Sequence, residues 1–248
     1  MTDSSTSVRP ERRADLAAGL ARVRSRIADA CAAAGRDRGE VTMIAVTKTY
    51  PASDVVALVG LGVADVGENR DQEAAPKAAE VAGAGVTPRW HFIGQLQRNK
   101  AKSVVRYADV VQSVDSVRLA GALDAASARV RDRPLDVLVQ VSIDGDAARG
   151  GALPGSADPD AGLDPVAEAV AGADGLRLAG LMAVAPLGWE PERAFARLAE
   201  VAAGFRSGHP EATLLSAGMS GDLEIAIRYG ATHVRVGSAL LGMRPTLR

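Results

Sequence analysis

Cysteine is nearly absent from this 248-residue chain, where Cys31 stands alone. A single thiol can form neither an internal disulfide nor a cysteine-based metal cluster. Stability must come from a core instead, and an apolar fraction of 47% is enough to build a sizeable one. Excess charge is missing too. Twenty-nine basic residues against 30 acidic ones leave a formal charge of −1. Both signs are interspersed, so no field exists to gather nucleic acid or an anionic membrane. The cluster Arg22, Arg24 and Arg26 lies within an amphipathic helical pattern and reads as a solvated face. No run is long and apolar enough to span a bilayer, and the opening MTDSSTSVRP lacks the apolar stretch of a secretory signal. The expected setting is therefore the cytoplasm. Internal repeats and composition breaks are absent as well. One folded unit over 11–248 is expected, after a flexible N-terminus over 1–10.

What is present is a rhythm. Between Ala14 and Ala34, Leu16, Leu20, Val23, Ile27, Ala30 and Cys31 follow helical spacing, and Gly35 is a plausible stop. Strand-like runs then alternate with helical ones. They are VTMIAVT (41–47), VADVG (63–67), PRWHFIG (88–94), ADVVQSV (108–114), LDVLVQVSI (135–143), LRLAGLMAVA (176–185), ATLLSAG (212–218) and HVRVGSALLG (233–242). Eight such units in about 250 residues predict a single (β/α)8 TIM barrel with an extra N-terminal helix. A doubly wound sheet would call for a glycine loop after its first strand, and TKTYP has no glycine. One stretch breaks the rhythm. DGDAARGGALPGSADPDAGL (144–163) is too long for an ordinary strand-to-helix loop and reads as a mobile lid or as disorder. Asp115 and Ser116 read as caps of the helix that follows the fourth strand.

In such barrels the chemistry gathers at the C-terminal strand ends. Here those ends carry Lys48, Glu68, Asn69, His91, Ser142, Met182, Ser216, Ser220, Arg235 and Ser238, so the expected mouth is mostly polar. The last two units end in SAGMS and GSA. Small residues such as Gly218, Gly237 and Ser238 let backbone N–H groups approach an anion. Ser216, Ser220 and Ser238 add hydroxyls, and a helix starting near Gly221 adds its positive end. That is a phosphate site in the habitual place of this fold. Lys48 follows a buried strand, where partial desolvation favours the neutral amine that attack on a carbonyl requires. A nucleophilic amine beside a phosphate cradle fits a phosphorylated aldehyde, either pyridoxal 5′-phosphate (PLP) or an aldolase sugar phosphate. Arg235 lies on the same strand face as Gly237 and can only donate. A pyridine nitrogen placed against it would have to accept and stay unprotonated, which makes the ring a weaker electron sink.

Several stretches taken together resemble one family: IAVTKTYP, GENRDQEA, WHFIGQLQRNK, VQSVDS, VLVQVSI, GLMAV and LSAGMSGDLEIAI followed by GATHVRVGSALLG. They are similar to the YggS/PROSC family of pyridoxal phosphate homeostasis proteins, whose fold is like the N-terminal barrel of alanine racemase. The matches are collinear from about Val41 to Gly242. The resemblance implies that Lys48 forms the internal aldimine with PLP and that Arg235 faces the pyridine nitrogen. It further implies that Ser216, Met219, Ser220, Gly237 and Ser238 bind the phosphate and that Asn69 lines the cofactor. It implies a carrier or regulator of PLP supply without established catalysis, whose recipients would be apo forms of PLP-dependent enzymes. The expected state is a monomer or weak homodimer, with no metal. Arg70, Arg98 and Arg149 depart from common family residues. Arg149 stands near where many relatives carry a lysine, and an arginine cannot form an aldimine.

Two alternatives are enzymes. A PLP-dependent amino-acid racemase needs a second base, which alanine racemase takes from a C-terminal β domain that this sequence is expected to lack. A Schiff-base aldolase would need an acid or base beside Lys48, and Glu68 is the available candidate. His91 reads equally as a hydrogen-bonded packing residue or a functional one.

Overall fold

The structure, a computed structural model, describes residues 8–242. Residues 1–7 of the expected flexible N-terminus lie outside that range, and Pro10 already opens the first helix. Eight parallel strands close into a barrel in sequence order. They are β1 (Thr42–Val46), β2 (Asp65–Glu68), β3 (Arg89–Phe92), β4 (Val110–Val114), β5 (Leu135–Gln140), β6 (Leu176–Met182), β7 (Leu214–Ser216) and β8 (His233–Val236). Every strand read from the sequence is present, each shorter than its apolar run. Helix α1 (Pro10–Ala33) precedes the barrel. The others are α2 (Ala52–Gly60), α3 (Asp71–Gly83), α4 (Ala101–Val104), α5 (Val117–Ser127), α6 (Leu163–Ala171), α7 (Pro191–Gly208), α8 (Leu223–Arg228) and α9 (Ser238–Leu241).

The strands are buried on both faces, as parallel strands under helices must be. Their outward residues join the helices in two large clusters. One includes Phe92, Val111, Leu123, Val137 and Phe195, and the other Leu20, Ile27, Ala45, Leu58 and Val234. One small apolar cluster, Val110, Leu138, Ala179 and Met182, sits apart from these two, with Leu214 packed against it. The buried polar side chains of His91, Gln112, Ser216 and Arg235 hydrogen-bond to one another beside it.

Helix α1 lies over the seam where β8 meets β1, packed on α8, α9 and α2. Its buried stripe, Leu16, Leu20, Val23 and Ile27, has the predicted helical spacing. Gly19 lets the axis come close, because a Cβ there would overlap the carbonyl oxygen of Leu240 in α9.

The 144–163 stretch is not the loose chain its composition predicts. Ser142 donates to the Ala152 carbonyl, Ala152 to Gln140 and Leu163 to Leu153 at 2.7–3.0 Å, and Ala152 is fully buried. Its far end reaches α5. The Asp160 carbonyl accepts from the Val117 N–H (2.9 Å) and the Asp160 carboxylate from the Arg118 N–H (3.0 Å). The side chain that caps α5 is therefore Asp160, while Ser116 at the N-cap position turns its hydroxyl to Asp115.

Candidate functional site

A cavity of about 650 Å³ opens at the C-terminal ends of the strands, lined among others by Val46, Lys48, Tyr50, Ile93, Met219, Ser220, Arg235, Gly237 and Ser238. Six residues proposed from the sequence thus share one space.

Lys48 stands in the turn between β1 and α2. Thr49 beside it is the one non-glycine residue with positive φ (70°) among the described residues. A β-branched residue rarely adopts that conformation, so the surroundings must hold it there. The Thr49 N–H donates to Glu73 (3.3 Å), and the Tyr50 hydroxyl donates to the Gly242 carbonyl (2.8 Å). Thr47, on the other side of Lys48, is fully buried and donates its hydroxyl to Glu68 (2.7 Å). Lys77 of α3 donates to the same carboxylate oxygen (2.6 Å) and to the Thr47 carbonyl (2.9 Å). Burial pushes the Glu68 carboxyl up, against the opposing pull of Lys77. Glu68 therefore anchors the chain around Lys48 and is not among the cavity's lining residues.

Arg235 is buried at the base of the cavity. Its Nη1 donates to the Ser216 hydroxyl (2.8 Å) and its Nη2 to the Ala183 carbonyl (2.9 Å). Burial lowers it to about 10, which leaves it cationic at neutral pH.

The turns after β7 and β8 form the third wall. Gly218 has φ 86°, and a Cβ there would stand 2.5 Å from the Ala226 Cβ, so only glycine lets α8 pack this close to the strand end. Met219 donates its N–H to the Asp222 carboxylate (2.6 Å). The Ser220 hydroxyl accepts from the Ala239 N–H (3.3 Å) and stitches the two turns together. The N–H groups of Ser220, Gly221, Gly237 and Ser238 find no acceptor among the described residues. Four free donors from two adjacent turns suit a multiply charged oxyanion.

Two proposed residues lie elsewhere. Ser216 is fully buried behind Arg235 and donates to Gln112 (2.7 Å). Asn69 borders a separate depression of about 460 Å³, with Arg70, Asp71, Gln95 and Lys100. The sequence reading missed Tyr50 and Ile93 on the cavity wall and Gln112 behind it. His91 is a buried hydrogen-bonded residue, placed between Asp65 (2.8 Å) and Gln112 (2.9 Å).

Residues 19–245 match the family described as alanine racemase, N-terminal domain. The chain is 45% identical over 251 residues to a pyridoxal phosphate homeostasis protein of Mycobacterium bovis, covering 96% of each chain. It is 39% identical over 239 residues to the protein of that name in Escherichia coli, covering 93% of this chain and 97% of that one. Among solved structures it resembles PipY of Synechococcus elongatus with PLP bound. There the TM-score is 0.73 at 34% identity, over 92% of this chain and all of that one.

Proposed function

The chain belongs to the family of pyridoxal phosphate homeostasis proteins, built on the alanine racemase N-terminal barrel, and from that membership we propose that it binds PLP at the barrel mouth and holds it for supply to other proteins. The observation that carries this reading is a coincidence of three chemistries in one cavity: the Lys48 amine, the donor-only Arg235 and the uncommitted N–H groups of the last two turns. The residues present fit the cofactor.

Bound PLP supplies an aldehyde open to amines and a ring able to withdraw electrons. In this reading Lys48 attaches it as a Schiff base: the ε-amine adds to the aldehyde and water leaves. Ser220, Gly237, Ser238 and Met219 grip the phosphate, with the free N–H groups as the main donors. Arg235, still cationic, donates to the pyridine nitrogen and keeps it unprotonated, which restrains the ring as an electron sink. Ser216 acts through Arg235, while Asn69 borders a separate depression and takes no part in the grip. The PLP-binding unit spans 11–248, working in the cytoplasm as a monomer or weak homodimer with apo-enzymes as recipients.

A holding role suits the lining better than turnover does. Racemisation needs proton exchange on both faces of the α-carbon. Beside Lys48 the best-suited lining residue is Tyr50, and its hydroxyl is engaged by the Gly242 carbonyl. The naming of the relatives also favours a role outside catalysis.

Borohydride reduction of the PLP-loaded protein followed by peptide mapping tests the assignment. A pyridoxyl group on Lys48, absent in Lys48→Ala, is expected, together with negligible racemisation across a panel of amino acids. Modification at another lysine, or a protein whose spectrum ignores added PLP, would overturn it.

A further inference from the structure

We propose that Ser216, Gln112 and His91 are positioning residues for Arg235, joined to Asp65 in one oriented hydrogen-bond relay that crosses the barrel interior and sets how the guanidinium meets the cofactor. The inference rests on the reading of the cavity as a PLP site.

The relay is continuous. Arg235 Nη1 donates to Ser216 Oγ (2.8 Å), Ser216 Oγ to Gln112 Oε1 (2.7 Å), Gln112 Nε2 to His91 Nδ1 (2.9 Å) and His91 Nε2 to Asp65 Oδ1 (2.8 Å). It links β8, β7, β4, β3 and β2, so residues far apart in sequence are brought together only by barrel closure. His91, Gln112, Ser216 and Arg235 are all at most 4% exposed.

The two ends dictate the polarity. A guanidinium has no acceptor, so Ser216 must receive from it and pass its own hydrogen onward. That hydrogen goes to Gln112, which fixes the amide with its oxygen towards Ser216 and its nitrogen towards His91. His91 Nδ1 must then accept, and the ring carries its hydrogen on Nε2. An ionised Asp65 can only accept, and it closes the line. Each donor points from the cation to the anion, an arrangement in which neighbouring bonds strengthen one another.

The consequence is felt at the mouth. Arg235 is fixed on one edge by Ser216 and by the Ala183 carbonyl, leaving its remaining N–H groups for the cavity. Ser216 holds that edge only while Gln112 occupies its hydroxyl hydrogen. Without Gln112 the hydroxyl can rotate, and the aim of the buried cation loosens.

The relay is tested first without any cofactor. Nitrogen-15 NMR of histidine-labelled wild-type protein at pH 7.5 is expected to show His91 protonated on Nε2 and unprotonated on Nδ1. The opposite tautomer would overturn the relay. Its link to the site is then read by PLP titration of Gln112→Leu, Ser216→Ala and the double variant, with Gln112→Met in reserve if leucine prevents folding. Each single variant should bind PLP about tenfold more weakly, the scale of a weakened hydrogen bond to a charged group. Each should also displace the absorption maximum of the bound cofactor, and the double variant should be no worse than either single one. Wild-type affinity and spectrum in a folded Gln112 variant, or effects that multiply in the double, would overturn the inference. Failure of the wild type to bind PLP would defeat the reading of the cavity instead, and the tautomer measurement would still decide the relay.

Discussion

His233 opens β8 two residues before Arg235 and is nearly as deeply buried, with its Nδ1 2.9 Å from the Thr232 hydroxyl and its ring centroid 6.2 Å from that of His91. Burial, reinforced by His91, lowers its pKa to about 4. An unfolded histidine protonates near 6.5. Between those values the unfolded chain binds the proton and the native one does not, so stability is full above about pH 6.5 and falls as the pH drops towards 4. The loss attributable to this ring approaches about 3 kcal/mol at its limit. Urea unfolding at pH 7 and at pH 4.5 should therefore cost wild type about 2 kcal/mol more than His233→Gln, and equal losses would refute the assignment. At this scale the sequence is legible where a residue type has a single use. Lys48, Arg235 and the small residues at Gly237 and Ser238 stand where strand alternation and motif place them. Alternation gives a face but not a rotamer, and so Ser216 could be read as a phosphate ligand when its hydroxyl in fact joins Arg235 to Gln112. Gln112 carries no such signal, because it lies in the middle of VVQSV rather than at a strand end.

Elements are more legible in the sequence than their junctions. Apolar runs of strand length alternating with amphipathic helices suffice for a barrel, whereas strand ends depend on where the ladder stops. The run ATLLSAG yields only Leu214–Ser216 as strand, because Gly218 turns the chain at positive φ to bring α8 in. The 144–163 stretch shows the same gap between composition and structure, since its ties are backbone bonds to Gln140 and Ser142 that no composition encodes. The joint between α3 and the β1 turn makes a sharper test. Lys77 is 8% exposed and is paired with Glu68, whose other oxygen, Oε2, has no partner among the described residues. Lys77→Met would leave that carboxylate buried without its cation, a loss of about 3–5 kcal/mol. Adding Glu68→Gln should restore much of it, because the uncompensated charge rather than the missing bridge dominates the cost. Chemical denaturation of the two variants against wild type measures this. A double variant no more stable than Lys77→Met would show that packing around Thr47, not charge, is what Lys77 provides.

Across the whole molecule, the most remote element is tied to the most functional one. Helix α1 and the turn that follows it are laced along the seam by arginines. Arg36 donates to the carbonyls of Ile227 and Ala231 (2.8 Å each), Arg26 pairs with Glu224 (2.6 Å), and Arg12 reaches both Asp54 (2.6 Å) and the Leu241 carbonyl (3.0 Å). These contacts hold α8 and α9, the helices that follow the two turns of the proposed phosphate grip, and Ser238 is the first residue of α9. Gly19 lies directly against the backbone of Leu240. Gly19→Val places a branched side chain where a carbonyl already stands, so either α1 lifts or α9 shifts. Overpacking of this kind costs about 1–3 kcal/mol, equivalent in a chain of this size to a fall of about 3–10 °C in melting temperature. If α9 is the element that moves, PLP affinity must fall as well, although Gly19 is not among the residues lining the cavity. If α1 moves alone, the melting temperature falls while affinity is kept. The seam helix is expected to set the geometry of the anion grip, so Gly19→Val should weaken PLP binding measurably, whereas a substitution such as Arg22→Ala on the exposed face of α1 should change neither quantity.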